Sequence, residues 1–354
     1  MAEPLRTALV GFGTGGAFFH APLIDAERGL RLTTVVTGNR ERAAKAVSTY
    51  PGVTVIDSTD ALWERADDLD LVVVTVPTPA HAGLAIEALR RGVAVVVDKP
   101  FAATSGQARE VLDVSRQTGT PLTVYQNRRF DGDYLTLRRL VDEGRLGSVH
   151  RMESSVDRWR STPRLNWKAR GGSAGAGGIL YELGSHLVDQ AIDLLGDVRQ
   201  VYAEVGSRRA GHGIDADDDV FLALRHTGGA ISHLRMSELA PEPAPRFRVT
   251  GSVGTYRKEG TDPQEADLRA GKRPDTSPDW GREPAGSWGV LNTGEHTEQV
   301  PTEPGDYPEF YRRVAAALTG AGPMPVDPEQ AIRVIEVIEA AYRQGAGGIE
   351  DLRP

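Results

Sequence analysis

The sequence predicts an α/β protein: a parallel sheet with helices on both faces, then a second α/β unit on a large, mostly antiparallel open sheet. Three observations predict this. In the first third, short and almost wholly apolar strands such as Leu71–Val76 and Val93–Val97 alternate with amphipathic helices. Strands buried on both faces belong to parallel sheets with helical cover. Beyond about residue 130 the rhythm changes, and strands such as His150–Arg158 alternate apolar and polar residues, as strands with one wet face do. Finally, 354 residues suggest about two units. The expected division is a dinucleotide-binding unit over 1–126 and a substrate-binding unit over 127–354, with the C-terminal helix packing back on the first.

The elements follow in order. Thr7–Val10 reads as a buried strand, Leu32–Thr37 as a β-branched strand and Asn39–Ser48 as a helix. Leu71–Val76 ends at Pro77 and Pro79, and His81–Arg91 has helical spacing up to Gly92. Val93–Val97, the helix Gln107–Arg116 and the strand Pro121–Tyr125 complete the first unit. Leu135–Glu143 is helical, and Ile179–Leu195 reads as one long helix behind the glycine-rich stretch Gly171–Gly178. Val201–Val205, Val220–Leu224, Ala230–Met236 and Phe247–Thr250 are spaced as strands, with Thr227-Gly228-Gly229 as a hairpin signal. Gly260 to Gly305 is Gly-, Pro- and Asp-rich without period and is expected to be a long loop. Two helices, Tyr307–Leu318 and Pro328–Arg343, close the chain.

Composition narrows the function. With 40% hydrophobic and 25% charged residues the chain is an ordinary globular protein. Acidic residues number 49 against 41 basic ones, a net charge of −8, so the excess positive charge that nucleic-acid binding needs is absent. There is no cysteine, which excludes disulfides, thiolate nucleophiles, iron–sulfur clusters and cysteine zinc sites. The longest apolar runs are too short to span a bilayer and the N-terminus lacks a signal-peptide layout. The expectation is a cytoplasmic protein with no nucleic-acid, membrane or metal partner.

Four motifs carry chemistry. Gly11-Phe12-Gly13-Thr14-Gly15-Gly16 follows a predicted strand and opens a helix. Gly11, Gly13 and Gly16 have the G-x-G-x-x-G spacing, which permits a tight turn, close approach of a pyrophosphate, and helix–strand contact. NAD sites usually place an acid about twenty residues on, at the end of the second strand. Here that stretch reads Val36-Thr37-Gly38-Asn39-Arg40, with no carboxylate before Glu41. Thr37, Asn39 and Arg40 suit a 2′-phosphate, so NADP is expected, with NAD possible; read blandly, Arg40 and Arg42 are solvated helix residues. Asp98-Lys99-Pro100 follows a buried strand, where open α/β sheets bind ligands, and a lysine there can polarise a hydroxyl or carbonyl. In Gly177–Asp189, Glu182, His186 and Asp189 share one face of the predicted helix, and a histidine one turn from an acid has the parts of an acid–base. On spacing alone His186 could equally be a packed core side chain.

Together these motifs resemble the Gfo/Idh/MocA family of NAD(P)-dependent oxidoreductases. The resemblance runs through Gly11–Gly16, Thr78-Pro79-Ala80-His81, Asp98-Lys99-Pro100 and Gly177–Asp189, essentially the whole chain. A closer likeness, to the scyllo-inositol dehydrogenase-like branch, rests on Phe19-His20-Ala21-Pro22-Leu23, Gln126-Asn127-Arg128-Arg129-Phe130-Asp131, Asp262-Pro263-Gln264-Glu265 and Asp279-Trp280-Gly281. It implies a Rossmann domain, then an α/β domain whose open sheet makes oligomer contacts, hence a homo-oligomer (dimer or tetramer). It implies Lys99 and His186 as the catalytic pair, with Glu182 orienting the site. Pro77, Thr78, His81 and Asp98 join the glycine loop around the cofactor. Asn127, Arg129, Arg158, Lys168 and Asp189 are the candidates for substrate hydroxyls. Three departures stand out: Asp98 where the family has Glu, Glu182 where it has Asp, and Trp167-Lys168 where Trp-Arg is usual.

The expected function is hydride transfer between nicotinamide and a secondary hydroxyl or ketone of a cyclic polyol or sugar, inositol-like. NAD-dependent glycosidase-type chemistry and a non-catalytic dinucleotide-sensing regulator are the alternatives on this fold; a sensor would not need both Lys99 and His186. Asp215, Asp217, Asp218 and Asp219 read as turn carboxylates, His212, His226 and His233 as structural or exposed, and His20 as either packed near the cofactor or in contact with it. Residues 260–305 are expected either to enclose substrate or meet a second subunit, because the indole of Trp280 needs apolar surface to cover, or to be a plain surface loop with that Trp partly exposed.

Overall fold

The computed structural model describes residues 3–162, 175–209, 216–345 and 349–352. Lys168 with Trp167, His212, Asp215 and the start of the Gly171–Gly178 stretch lie outside the described residues.

Six parallel strands form the first sheet: β1 (Leu5–Val10), β2 (Leu30–Val36), β3 (Thr54–Ile56), β4 (Leu71–Val74), β5 (Ala94–Asp98) and β6 (Leu122–Tyr125), in the order β3-β2-β1-β4-β5-β6. The apolar runs predict this because both faces are covered. Along β4, Val72 and Val74 enter one core and Leu71 and Val73 the opposite one. β3 was not legible in the sequence: it is three residues long and none of them is fully buried. The order reverses between β1 and β4, and ligands of open α/β sheets bind at that point, beyond the carboxyl ends of the strands.

The second sheet has nine strands: β7 (Val149–Asp157), β8 (Val198–Gly206), β9 (Asp219–His226), β10 (Ile231–Ser237), β11 (Phe247–Gly251), β12 (Thr255–Lys258), β13 (Gly289–Asn292), β14 (Thr297–Val300) and β15 (Ile349–Asp351). Their order is β14-β13-β12-β11-β7-β10-β9-β8-β15, and every pair is antiparallel except β7–β10. Thr227-Gly228-Gly229 turns the β9–β10 hairpin, with Gly229 at φ +91°.

Two expectations need correction. Segment 260–305 is not one long loop: it holds a short helix, Gln264–Arg269, strand β13 and the edge strand β14. β14 exposes three of its four residues, so the alternation that signals a strand is missing. Nor is Ile179–Leu195 one α-helix. A π-turn over Leu180–Gly184 precedes the α-helix Ser185–Leu195. The Asp217 carboxylate accepts from Leu180 N at 2.8 Å, and a Cβ at Gly184 would lie 2.7 Å from Leu180 and 2.9 Å from Met236. The wide turn therefore shifts Glu182 out of α-helical register with His186.

The last helices lock the layers together. Tyr307–Leu318 lays Tyr307, Phe310, Tyr311 and Val314 on one face of the parallel sheet. Pro328–Gln344 puts Ala331, Ile332 and Ile335 into the core on the other face, and Val334, Val337 and Ile338 into the core beneath the second sheet. The 260–305 segment is pinned through Gln264. Its Nε2 donates to Phe130 O (3.1 Å), and its Oε1 accepts from Trp280 Nε1 (2.9 Å) and Tyr307 N (2.7 Å). Gln264→Ala is expected to cost about 2–4 kcal/mol, since buried donors and acceptors left unpaired cost about 1–3 kcal/mol each. Chemical denaturation of the two proteins measures it.

Candidate active site

The glycine loop is built by exclusion. Gly11 sits at φ +99°, and its carbonyl accepts from Thr75 Oγ1 at 2.7 Å. A Cβ at Gly16 would lie 2.2 Å from Gly11 O, so the helix can start this close to β1 only with glycine there. At Gly15 a Cβ would stand 2.9 Å from Asp98 Oδ2, which puts the loop against the end of β5. At Gly13 the space is open, with only Arg42 Nη1 nearby, 3.6 Å from a notional Cβ. Thr14 is exposed at the start of the turn, whereas Phe12 packs inward against Tyr50. Phe12 thus serves the loop through its backbone and its packing. A cradle that side chains would fill fits a dinucleotide pyrophosphate.

Past β2, Thr37, Gly38, Asn39 and Arg40 line a cleft with Ile56 and Asp57. Asn39 Oδ1 caps the following helix by accepting from Arg42 N at 3.0 Å. Asp57, which follows β3, was missed because β3 itself was not legible. Pro77 and Thr78 form the turn after β4. His81 begins the next helix, buried, with Nδ1 3.0 Å from Pro100 O and Nε2 2.8 Å from Val76 O. Backbone carbonyls face both ring nitrogens, and the single N–H of the neutral ring donates to one of them, so His81 ties the cofactor loops together instead of bonding to a ligand. Burial holds its pKa below the ordinary histidine value.

Asp98 and Lys99 end β5. Asp98 Oδ1 accepts from Lys99 N at 2.8 Å and lies 3.4 Å from His20 Nε2. Burial alone would raise this carboxyl, but His20, Lys99 and His81 together hold it below the usual range. His20 is fully buried, packed at a tilt against Tyr125 with ring centroids 4.1 Å apart, and joined through Nδ1 to Tyr311 OH at 2.6 Å. It supports Asp98 from behind. Lys99 Nζ donates to the carbonyl of Glu182 at 2.6 Å, which joins the end of the parallel sheet to the π-turn before His186.

His186 is buried, and its Nδ1 has no hydrogen-bond partner among the described residues. No carboxylate therefore orients that nitrogen, contrary to the acid–histidine pairing the spacing suggests; the π-turn is the reason. The Glu182 carboxylate instead lies 3.8 Å from Arg158 Nη1. Burial first, then the positive charges of Lys99, Arg128, Arg246 and Arg158, hold His186 well below 6.5. The ring is neutral at physiological pH.

Of the substrate candidates, Asn127 is buried in the turn after β6, and Arg158 stands beside Glu182. Arg129 and Asp189 require correction. They form a buried bidentate pair, with Arg129 Nε and Nη2 donating to Asp189 at 2.8 and 2.6 Å, and Arg129 Nη1 reaches Asp193 (3.0 Å) and Gln330 (2.9 Å). Such an ion pair is an internal tie, and one 60 residues apart leaves no local signal in the sequence. Named in its motif but given no role was Arg128, bonded to Asp131 (3.1 Å) and Glu265 (2.6 Å); missed altogether was Arg246, which donates to Ser154 and Gln190 at 2.6 Å each. Asp217 and Asp218 hold backbone amides, and His226 bonds Gly196 O and Ser232, so these are structural.

Residues 5–126 match the family model described as "Oxidoreductase family, NAD-binding Rossmann fold", and residues 138–348 match its companion, "Oxidoreductase family, C-terminal alpha/beta domain". The chain belongs to the Gfo/Idh/MocA family. Among its relatives, the uncharacterized oxidoreductase YdgJ of Escherichia coli is 39% identical over 96% of both chains. The scyllo-inositol 2-dehydrogenase (NADP(+)) IolW of Bacillus subtilis is 31% identical over 96% of this chain and 93% of that protein. The solved structure of YvaA from Bacillus subtilis superposes with a TM-score of 0.90 at 30% identity, covering 99% of each chain. As a member of this oxidoreductase family the protein is an NAD(P)-dependent dehydrogenase acting on CH–OH groups, with a nicotinamide cofactor and a small-molecule substrate. No helix among the described residues is long and apolar enough to cross a membrane.

The glycine loop yields a differential prediction. Gly16→Ala is expected to lower the melting temperature of the cofactor-free protein, because the added carbon meets backbone. Gly13→Ala is expected to leave that temperature unchanged yet weaken NADPH, since its space is open to the ligand alone. Differential scanning fluorimetry without and with NADPH separates the two.

Proposed function

We propose that this protein is an NADP-preferring oxidoreductase that moves hydride between nicotinamide and a secondary hydroxyl or ketone of an inositol-like cyclic polyol or sugar. The observation that carries the reading is the Lys99–Glu182 carbonyl bond, which sets the lysine of the cofactor sheet beside the turn that leads into buried, neutral His186. When bound, the nicotinamide supplies the hydride donor or acceptor. In the oxidative direction His186 takes the hydroxyl proton. Lys99 donates to the reacting oxygen, and its charge, with those of Arg128 and Arg158, stabilises negative charge developing there. Glu182 positions Lys99 through its carbonyl and Arg158 through its carboxylate. Asn127, Arg158 and Lys168 are assigned to substrate hydroxyls. Residues 1–126 serve as the dinucleotide-binding unit and 127–354 as the substrate-binding unit.

NADP preference is supported by the lack of a carboxylate at Thr37–Asn39, by Arg40 in the cleft with Arg42 beside the glycine loop, and by the name of the relative IolW. The protein is further proposed to be a cytoplasmic dimer or tetramer joined through the outer face of the nine-stranded sheet. There Tyr202, Phe221 and His233 form a partly exposed aromatic row.

A screen of inositols, inososes and aldoses with both cofactors, followed at 340 nm, tests the function. NADPH is expected to bind more tightly than NADH in a fluorescence titration, and Thr37→Asp to shift preference toward NADH; equal affinities would refute the NADP assignment.

Lys99→Ala and His186→Ala are each expected to lower kcat by about 10²–10⁴-fold while leaving NADPH affinity nearly intact. The pH profile follows from His186. Protonation removes the base, so kcat/KM should rise with pH through a limb centred below 6.5. In the residual activity of Lys99→Ala that limb should move upward, because one of the cations depressing His186 is gone.

A further inference from the structure

Within Asp262-Pro263-Gln264-Glu265, two residues are anchors. Asp262 accepts from Gly132 N and Gln264 N, both at 2.7 Å, and Gln264 holds Phe130, Trp280 and Tyr307. Glu265 holds none of these backbone groups. Its Oε2 accepts from Arg128 Nη2 at 2.6 Å and its Oε1 from Arg269 at 3.1 Å, and its side chain keeps 23% of its surface exposed. Arg128 is one of the cations whose charge acts on His186, and Arg158 is another.

Arg158 is the unusual partner. Its side chain is only 28% exposed, yet its guanidinium makes no hydrogen bond among the described residues. The nearest carboxylate with a measured contact is Glu182, at 3.8 Å, and Glu265 and Glu182 are the two acids whose charges act on it. A guanidinium carries five N–H donors, and here none of them is shut off from solvent without a partner. These donors are open to an acceptor that arrives with a ligand. The position is next to Glu182, whose carbonyl holds Lys99.

We propose that Glu265 and Arg158 form a hydroxyl-recognising pair on the substrate side of His186, the carboxylate accepting from and the guanidinium donating to hydroxyls of one neutral polyol or sugar. The inference rests on the function proposed above and narrows its substrate class. A hydroxyl both donates and accepts, so neighbouring hydroxyls can satisfy an acid and a guanidinium at once. A carboxylate or phosphate on the substrate would gain Arg158 but face the like charges of Glu182 and Glu265. The pair thus admits polyols and disfavours sugar acids.

The test uses the full chain with NADP, comparing the best neutral substrate among the inositols and aldoses with glucuronate. Wild type is expected to prefer the neutral substrate by at least about ten-fold in kcat/KM. Glu265→Gln keeps an acceptor for Arg128 and nearly the same volume. It is expected to raise KM for the neutral substrate about ten-fold with kcat changed less than about three-fold, and to narrow the discrimination against glucuronate. Glu265→Asp, which keeps the charge, should restore the discrimination in part. NADPH affinity and melting temperature are measured on each variant. An unchanged KM and unchanged discrimination in folded Glu265→Gln would overturn the proposal alone. So would a fall in kcat at constant KM, the mark of a merely structural role. Should Glu265→Gln not fold, Glu265→Asp decides, with wild-type KM overturning the proposal. Failure of wild type to turn over any inositol, inosose or aldose would overturn the function itself, and the proposal with it.

Discussion

Four buried charges within one short turn govern how the molecule is assembled. Where the chain leaves β6, Arg128, Arg129, Asp131 and Asp133 are all buried. Charge removed from water is tolerable only when it is paired and hydrogen-bonded. Each of the four therefore draws in a different element. Arg128 takes Glu265 from the short helix of the 260–305 segment, and Arg129 takes Asp189 from the histidine helix and Gln330 from the C-terminal helix. Asp131 receives Tyr307 OH at 2.7 Å, and Asp133 faces Arg246 at 3.4 Å. The compensation is incomplete: burial, first of all, pushes Asp131 up to about 6 and Asp262 up to about 8. The site is thus held by a network that is paired in charge but not fully hydrogen-bonded: both Asp133 oxygens and the Nε atoms of Arg128 and Arg246 are buried without a hydrogen-bond partner among the described residues.

The same network sets the electrical character of the reaction centre. His186 is a weak base because it is buried among Lys99, Arg128, Arg246 and Arg158. A weaker base is a poorer proton acceptor in isolation, but the cations that weaken it also favour an alkoxide beside it. The cost at one atom offsets a gain at its neighbour. Asp98 supplies the counterweight on the cofactor side, kept ionised by His20, Lys99 and His81 against its own burial.

Sequence reasoning succeeded where a physical demand is local. Strands β1, β4, β5 and β6 announce themselves because both faces are buried, and Gly11 and Gly16 because no side chain fits. Lys99 and His186 stand in short motifs and could be singled out, although the bond that joins their elements spans 83 residues. It failed where the demand is long-range. Arg129 and Asp189 look like open polar groups until they are seen bonded to one another. Glu265 reads as part of a featureless loop because β13 and β14 are only four residues long each and β14, at the sheet edge, is mostly exposed. The π-turn before His186 depends on Asp217, far along the chain, and no spacing rule could show it.

The position of Pro328–Gln344 bears on how the chain is made. Its Ala331, Ile332 and Ile335 complete a core that otherwise consists of residues 8–124. During synthesis from the N-terminus, the strands of the parallel sheet emerge together with helices His81–Arg90 and Ser105–Thr118, which cover most of that face, and Pro328–Gln344 follows much later. Domains usually fold as units while they are being translated. Here the first unit can do so only in part, because the patch that receives Ala331, Ile332 and Ile335 stays uncovered until Pro328–Gln344 has been made. Because the C-terminal helix divides its faces between this core and the one beneath the second sheet, the closing of the first unit coincides with that of the second.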